Sequence, residues 1–358
     1  MNQPKISKTI ASIGIAFTSL VLAFAPIPGV RTSLVVVGGT ELQEPLKELE
    51  AQFEEKYPQV DLELEFQGSQ DIANNFLQQK NQPHILIAAN AEILQELSNQ
   101  YLTKYSREAF SEEPTAIVKT LLVAIAWQER GKILFPGDRF DWEKIEQAMQ
   151  QGSWSKIAAK ADWGSFDFVM TNPNRSNSGQ LALDLWLKSQ NLALTSPEAA
   201  SLVSLIKKSV YQPSRSTDIL LQEFISRGAN EGDIAIIYES IALNRWSQAQ
   251  ISQGEPYRIY YPQPTIETVI TAAIVQQNIS PNLAKAAQKF IDYLTQLEQQ
   301  QVFVEYGFRP VISGLDLQAV ESSPWAENIP GAALDQSFST IKPPNAEEII
   351  QIQRLWDK

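Results

Sequence analysis

The first half of the chain alternates between two hydrophobic periodicities. Residues 33–37 form a continuous apolar run, and apolar residues alternate with acidic ones over residues 60–66, so both segments are predicted to be β-strands. Between them, apolar residues from Leu42 to Phe53 recur every three or four positions, which predicts an amphipathic helix.

The same two patterns continue towards the C-terminus. Further strands are predicted at residues 84–88, 166–170 and 234–238, and further helices at residues 179–188, 219–225 and 283–297. Strands that alternate with helices are typical of an α/β protein, and we expect mostly parallel sheets.

The first thirty residues follow a different pattern. Lys5 and Lys8 precede an uncharged run from Thr9 to Val30, which is typical of an export segment. Two outcomes stay open: a signal peptide cleaved after Ala25, or an uncleaved transmembrane helix, because about 20 apolar residues can span a bilayer. Either outcome predicts a periplasmic or extracytoplasmic protein, soluble in the first case and anchored to the membrane in the second.

Composition and charge exclude several classes of function. The 358 residues include no cysteine and one histidine, His84, so we expect no disulfide, thiolate nucleophile, iron-sulfur cluster, metal site or other cofactor. Acidic residues outnumber basic ones by 41 to 29, and the net charge of −12 repels phosphate backbones. A nucleic-acid partner is therefore not expected.

The sequence does not favour an enzyme. Two serine-lysine pairs, Ser153 with Lys156 and Ser204 with Lys207, match one element of penicillin-recognising enzymes, but the Ser-Asp-Asn and Lys-Thr-Gly elements are missing from the sequence. It also contains no nucleophile elbow, Walker loop or dinucleotide fingerprint.

Four hydroxyl residues stand between an extended segment and a helix: Thr40, Ser69, Ser178 and Thr217. Each could be a helix N-cap, which contributes about 1 kcal/mol of stability. Alternatively, they converge where helix N-termini meet at the carboxyl ends of the strands, and there they would form a polar cup for a small anion or polar solute.

Several motifs resemble one family of proteins. The motifs are Val36-Val37-Gly38-Gly39-Thr40-Glu41, Phe66-Gln67-Gly68-Ser69, the segment from Pro83 to Asn90, Ala126-Trp127-Gln128-Glu129-Arg130, Thr171-Asn172-Pro173, Arg175-Ser176-Asn177-Ser178-Gly179, Ser216-Thr217, Tyr238-Glu239-Ser240 and Tyr306-Gly307-Phe308-Arg309-Pro310. From about Ser33 to its end, the chain resembles bacterial type 2 periplasmic solute-binding proteins of the molybdate-binding-like branch, and specifically an extracellular binding-protein subgroup of it.

The resemblance implies an α/β fold of two lobes, with a discontinuous first lobe and two interlobe crossings. Residues 31–117 and 263–358 would form lobe I, residues 118–262 lobe II, and residues 1–30 the signal peptide or membrane anchor. The implied ligand-binding residues lie in the cleft between the lobes: Thr40, Ser69, Asn177, Ser178, Thr217 and Tyr238.

The chain departs from molybdate binders at three places. Thr40 follows two glycines in place of alanines, Ser178 replaces an alanine, and Glu41 adds an acid beside the site. Glu41 would either face the ligand or lie in the first helical turn and oppose the dipole, and Arg175 would either fold inward or remain solvated.

The resemblance implies a monomeric, exported protein that captures a small polar solute, with an oxyanion preferred, for an ABC-type importer and its permease subunits. The alternative is a membrane-anchored sensing or interaction module that uses the same fold without transport.

Overall fold

The computed structural model describes residues 31–210, 212–230, 232–254, 256–334 and 338–358. The predicted export segment, residues 1–30, lies outside the described residues. Within the part of the chain that is described, no helix is both long and apolar enough to cross a membrane.

Strands and helices alternate along the described chain. The strands are β1 Thr32–Gly39, β2 Val60–Gln67, β3 Ile85–Ala88, β4 Thr115–Trp127, β5 Phe168–Val169, β6 Ile234–Tyr238, β7 Tyr257–Tyr260, β8 Thr265–Ile274, β9 Arg309–Pro310 and β10 Thr340–Ile341. The α-helices of the first half are α1 Gln43–Lys56, α2 Ser69–Leu77, α3 Ala91–Tyr105, α4 Gln128–Leu134, α5 Trp142–Gln151, α6 Trp154–Ala158 and α7 Asn177–Ser189. Those of the second half are α8 Pro197–Ser209, α9 Thr217–Arg227, α10 Glu239–Asn244, α11 Trp246–Gln253, α12 Pro281–Leu294, α13 Leu297–Glu305 and α14 Ala346–Asp357.

The predicted elements are present, with two differences. The helix predicted over residues 283–297 is two helices, α12 and α13, which are separated at Thr295 and Gln296. The strand predicted over residues 166–170 is reduced to the two residues of β5. The α/β class is confirmed.

The strands form one mixed sheet in the order β2-β1-β3-β8-β4-β6-β5, with β7 and β9 paired to β4 and β10 paired to β8. Strand β1 runs parallel to β2 and β3, and β5 runs parallel to β6. The expectation of mostly parallel sheets is wrong, because β4 runs antiparallel to all four of its partners and β8 runs antiparallel to β3.

Strand β4 divides the sheet into two parts. Its residues 115–121 pair with β8, whereas its residues 122–126 pair with β6. We call the part built on β1–β3, β8 and the first half of β4 the first lobe, and the part built on β5–β7 and the second half of β4 the second lobe. The boundaries predicted at residues 117 and 262 stay predictions.

Each lobe has its own apolar core. In the first lobe, Leu34 and Val36 of β1 pack with Phe53 on one sheet face, and Val37 packs with Phe76 on the other. The alternating side chains of a strand produce this arrangement, because both sheet faces are covered by helices. The second-lobe core centres on residues 121–127 of β4 and on β6.

The C-terminal segment packs mainly on the second lobe. Trp325, Ile352 and Trp356 belong to the second-lobe core. Helix α14 contacts α7 and α8, and to a lesser extent α3 of the first lobe. The residues that follow β8 therefore contact both lobes.

A buried ion pair lies where the lobes join. Arg309 of β9, which pairs with the first half of β4, donates from Nε and Nη2 to the carboxylate of Glu239 at 2.7 and 2.8 Å. Glu239 begins α10 directly after β6, and Tyr261 Oη donates to the same carboxylate at 2.6 Å. Both charged side chains are fully buried, so the Tyr-Glu-Ser and Tyr-Gly-Phe-Arg-Pro motifs meet in one hydrogen-bonded contact.

Candidate functional site

The candidate site lies between the lobes, where strands end and helices begin. Strand β1 ends at Gly39 and continues into a 3₁₀ turn, Thr40–Leu42, while β2 ends just before α2. From the second lobe, α9 contacts this 3₁₀ turn, and Asp218 in the first turn of α9 interacts electrostatically with Glu41. We call the space between these segments and the starts of α7 and α10 the cleft.

The N-termini of α2, α7 and α9 lack side-chain caps. Their N-cap residues are Gly68, Ser176 and Ser216, and none accepts a hydrogen bond from the first helical turn. Two of the three are serines, yet they do not cap as Ser196 and Ser280 do at the starts of α8 and α12. First-turn N–H groups of α2, α7 and α9 therefore lack the partner that a capping side chain would supply.

The four hydroxyl residues predicted at strand-helix junctions are not N-caps. Ser69 and Thr217 are the first residues of α2 and α9, Ser178 is the second residue of α7, and Thr40 begins the 3₁₀ turn. The capping alternative is therefore wrong for these four residues, because an N-cap lies one residue before the first helical position.

Ser178 is the centre of a hydroxyl cluster. Its Oγ lies 2.7 Å from Thr217 Oγ1, 2.8 Å from Thr171 Oγ1 and 3.1 Å from Ser176 Oγ. A hydroxyl can donate one hydrogen bond and accept two, so these three neighbours use its full capacity. The Ser178 side chain therefore holds the starts of α7 and α9 together.

Asn177 connects the second-lobe cluster to both Tyr238 and the first lobe. Its Nδ2 donates to Tyr238 Oη at 2.9 Å, and its Oδ1 accepts from Asn90 Nδ2 at 3.3 Å. Burial, and secondarily the negative charge of Glu41, raises the pKa of Tyr238 well above its usual value. The phenol therefore stays protonated and keeps an O–H that can donate.

Three cleft hydroxyls are free of side-chain partners. Within the described part of the chain, the hydroxyls of Thr40 and Ser69 make no hydrogen bond that fixes them, and the buried Oγ of Ser216 has no partner. The Ser216-Thr217 motif indicated this turn from the sequence, and Ser216 lies directly before the first residue of α9.

A pocket of 570 Å³ opens at the mouth of the cleft. Both lobes line it, and the polar lining residues include Thr40, Gln67, Asp71 and Lys80 from the first lobe and Arg175, Arg215, Ser216 and Asp218 from the second. Lys80 and Arg215 are exposed, and neither has an ion-pair partner among the described residues. The mouth therefore combines helix N-termini, hydroxyls and two available cations with two carboxylates, Asp71 and Asp218, each of which is paired with an arginine.

The two lobes are connected across the cleft by polar contacts. Arg175 Nη2 lies 2.8 Å from Asp71 Oδ2, and both residues line the pocket at the mouth of the cleft, so this arginine is neither fully solvated nor free of an acidic partner. On the other side, Arg245 Nη2 lies 3.0 Å from Glu44 Oε1 and 2.8 Å from Asp218 Oδ1. These pairs link the two lobes on the borders of the cleft.

The described residues contain no group of three or more His, Cys, Asp or Glu side chains placed to hold a metal ion. His84 directly precedes β3 and lies beside β1, where its Nδ1 accepts a hydrogen bond from the backbone N–H of Val35 at 2.9 Å. Burial lowers the pKa of His84, which favours the neutral ring that this bond requires.

A family model for bacterial extracellular solute-binding proteins matches residues 34–309. The chain belongs to this family. No curated protein sequence matches this solute-binding protein.

Solved structures share the fold of this solute-binding protein at low sequence identity. The sulfate-binding protein SubI from Mycobacterium tuberculosis H37Rv is 16% identical, with a TM-score of 0.60 over 89% of this chain and 96% of that chain. A periplasmic thiamin binding protein is 13% identical, with a TM-score of 0.65 over 92% and 97%. Iron-bound HitA from Pseudomonas aeruginosa is 15% identical, with a TM-score of 0.61 over 90% and 98%.

These similarities confirm the two-lobed type 2 periplasmic-binding fold and the resemblance on which it was predicted. They also place the chain among binding proteins and not in an enzyme family. The structure gathers Asn177, Ser178, Thr217 and Tyr238 into connected hydrogen-bonded pairs on the second-lobe side and places Thr40 and Ser69 opposite them. The role of all six in binding a ligand stays a prediction.

Proposed function

We propose that this protein captures a small oxyanion in the cleft and presents it to an ABC-type importer. The observation that carries the proposal is the convergence of α2, α7 and α9, whose first turns lack side-chain caps, around hydroxyls with spare donors. Helix N-termini carry partial positive charge and free N–H groups, so they bind anions without a full cation in the site.

The chemistry of the lining favours an oxyanion over a metal cation. Hard cations require several carboxylate or carbonyl oxygens, but the described residues contain no group of three or more His, Cys, Asp or Glu side chains placed to hold a metal ion. Alongside the carboxylate of Glu41, the cleft offers donors from the hydroxyls of Thr40, Ser69 and Ser216 and from the phenol of Tyr238. Lys80 and Arg215 at the mouth add positive charge where an anion would enter. Local donors outweigh the net charge of −12, because charges farther away than about 10 Å are largely screened at physiological salt.

The structural relatives support solute capture without naming the solute. They are a sulfate-binding protein, a thiamin binding protein and an iron-bound protein, so one fold accommodates anions, cations and organic molecules. The ligand must therefore be argued from the side chains of this cleft.

A thermal-shift panel tests the proposal. Molybdate, tungstate, sulfate, phosphate, simple sugars, amino acids and divalent metals are each added, and the unfolding temperature should rise only with oxyanions, following ligand concentration over the dissociation constant. Arg215→Gln should weaken the response and its salt dependence, whereas Arg354→Gln on α14 removes the same charge away from the cleft and should leave it unchanged. A shift with a metal ion and none with any oxyanion would contradict the proposal.

Export and delivery to a transporter require a separate test. The uncharged segment from Thr9 to Val30 supports export, and it also supports the alternative of an anchored sensing module. Mass spectrometry of the native protein determines whether the N-terminus begins after Ala25 or retains the segment. A retained segment, together with no effect of the protein on solute uptake by cells, favours the sensing module.

A further inference from the structure

Glu41 places a carboxylate inside the donor-rich cleft. It follows the end of β1 in the 3₁₀ turn Thr40–Leu42, which contacts the start of α9. Its side chain folds back over Gly39 so closely that a Cβ on Gly39 would overlap the carboxylate. Any larger residue at position 39 would displace this carboxylate, so Gly39 makes room for it.

One oxygen of this carboxylate lacks a partner. The backbone N–H of Glu41 donates to the carboxylate, but Oε1 is buried and has no hydrogen-bond partner among the described residues. No lysine or arginine pairs with Glu41 in the described part of the chain. A buried acceptor without a donor costs free energy comparable to a lost hydrogen bond, so the site is complete only when something donates to Oε1.

The groups around Glu41 do not supply that donor. Asp218 of α9 is negative and repels the carboxylate, and Tyr238 lies close enough for the two groups to interact electrostatically, although no hydrogen bond joins them. The buried Oγ of Ser216, next to the start of α9, is also unpartnered and lines the pocket at the mouth. Two unsatisfied polar groups thus lie at one end of the cleft.

We propose that Glu41 contacts the ligand and selects an oxyanion that retains an O–H, such as hydrogen phosphate, over one that has none, such as sulfate. This inference rests on the proposed function, because it assumes that the cleft binds an oxyanion. The ligand O–H would donate to Glu41 Oε1, while its other oxygens accept from the hydroxyls and helix N–H groups. An oxyanion without a proton would bring a second acceptor against Oε1, and both would remain unpaired.

Isothermal titration calorimetry with sodium phosphate and sodium sulfate tests the inference at about pH 8, which is above the pKa of about 7 to which burial raises Glu41. We expect the wild-type protein to bind phosphate about ten- to a hundredfold more tightly than sulfate, the effect of one unpaired buried acceptor. Glu41→Gln supplies a donor and an acceptor at once, so the ratio of the phosphate affinity to the sulfate affinity should fall towards one. Glu41→Asp keeps a carboxylate and should keep the direction of the preference.

Glu55→Gln is the matched control, since Glu55 is an exposed carboxylate of α1, and it should bind both anions as the wild type does. The wild-type ratio does not depend on how well any variant folds. Sulfate binding as tight as phosphate binding, or a ratio that Glu41→Gln leaves unchanged, would overturn this inference while leaving the proposed function intact. If phosphate, sulfate and molybdate all fail to bind, both this inference and the proposed function are overturned.

Discussion

Gly68 of the first lobe lies directly against the backbone carbonyl of Arg175 in the second. A Cβ at Gly68 would stand 2.7 Å from that oxygen and 3.3 Å from the carbonyl oxygen of Arg215. The backbone of Gly68 has φ −65°, a conformation open to any residue, so only the space between the lobes requires glycine. The two lobes therefore meet here through backbone atoms. Their close approach requires glycine at position 68, because any side chain would overlap the second lobe.

Gly68→Ala is expected to hold the lobes apart. Overlap with two backbone carbonyls cannot be relieved by rotating a side chain, and overpacking of this kind typically costs about 1–3 kcal/mol. The cost falls on the closed form alone, so affinity for the bound oxyanion should drop about tenfold or more. Calorimetry measures the affinity, and small-angle X-ray scattering should report a larger radius of gyration.

Gly38→Ala is the control for this variant. Its Cβ would meet only side-chain atoms at 3.6 Å or more, which is ordinary contact. It should bind and scatter as the wild type does. Equal affinity in Gly68→Ala and Gly38→Ala would show that the contact at Gly68 does not limit closure.

Tyr238→Phe tests the second-lobe donor. Removal of the phenol oxygen leaves Asn177 Nδ2 without its acceptor and takes one O–H from the cleft, so both stability and affinity should fall by about 1–3 kcal/mol. Tyr257→Phe is matched in burial, since Tyr257 Oη donates to the carbonyl of Ala242 outside the cleft at 2.6 Å. It should lose stability alone. Unchanged affinity in Tyr238→Phe, measured by calorimetry, removes the phenol from the site.

Breaking the buried pair of Arg309 and Glu239 should be strongly destabilising. Arg309→Met leaves a buried carboxylate held only by Tyr261, and removal of one partner of such a pair costs about 3–5 kcal/mol of unfolding free energy. Adding Glu239→Gln should recover much of the loss. Arg31→Ala, which removes an exposed partner of Asp61, should cost less than about 1 kcal/mol. Urea titrations measure all three, and a small loss in Arg309→Met would mean that water or another group compensates.

Glu41 should make stability fall as pH rises. Burial, with a smaller effect of Asp218, raises the pKa of Glu41 from 4.5 to about 7, so the folded state binds this proton more strongly than the unfolded chain. The stabilisation is present below the unfolded pKa and is lost as pH rises through about 7. Asp184, whose pKa burial raises to about 6, acts in the same direction.

The comparison with Glu41→Gln isolates this effect, because Asp184 contributes equally to both proteins. Unfolding free energies from urea titrations between about pH 5 and 8 should decline more for the wild type than for the variant. Glu55→Gln should follow the wild type. Parallel pH profiles for wild type and Glu41→Gln would mean that the carboxylate is solvated.

The hydrophobic pattern predicted most helices and strands. Each element packs one face against a core, so its apolar residues recur with the period of a helix or of a strand. It could not predict the break at Thr295 and Gln296, where apolar spacing continues across two helices. It also failed on strand direction, since the antiparallel run of β4 and β8 depends on which lobe each half of a strand enters. That information is in the pairing and not in the local sequence.

The candidate site was predicted in part, through motifs that mark strand-helix junctions. Asn177, Ser178, Thr217 and Tyr238 came together as the resemblance implied. It could not be predicted that neighbouring hydroxyls use the full hydrogen-bonding capacity of Ser178 Oγ, since its partner Thr217 lies 39 residues away in sequence. The orientation of Glu41 was equally inaccessible, because both alternatives share the same 3₁₀ turn and only tertiary packing buries the carboxylate.

Strand β4 is continuous from Thr115 to Trp127 while it exchanges β8 for β6 as its partner. The lobes are thus joined by a ribbon that stays hydrogen-bonded along its length, unlike a flexible tether. Opening the cleft would then require this hydrogen-bonded ribbon to bend or twist together with the lobes. The stiffness of this connection therefore contributes to the affinity for a solute, although the connection lies far from any atom that touches the solute.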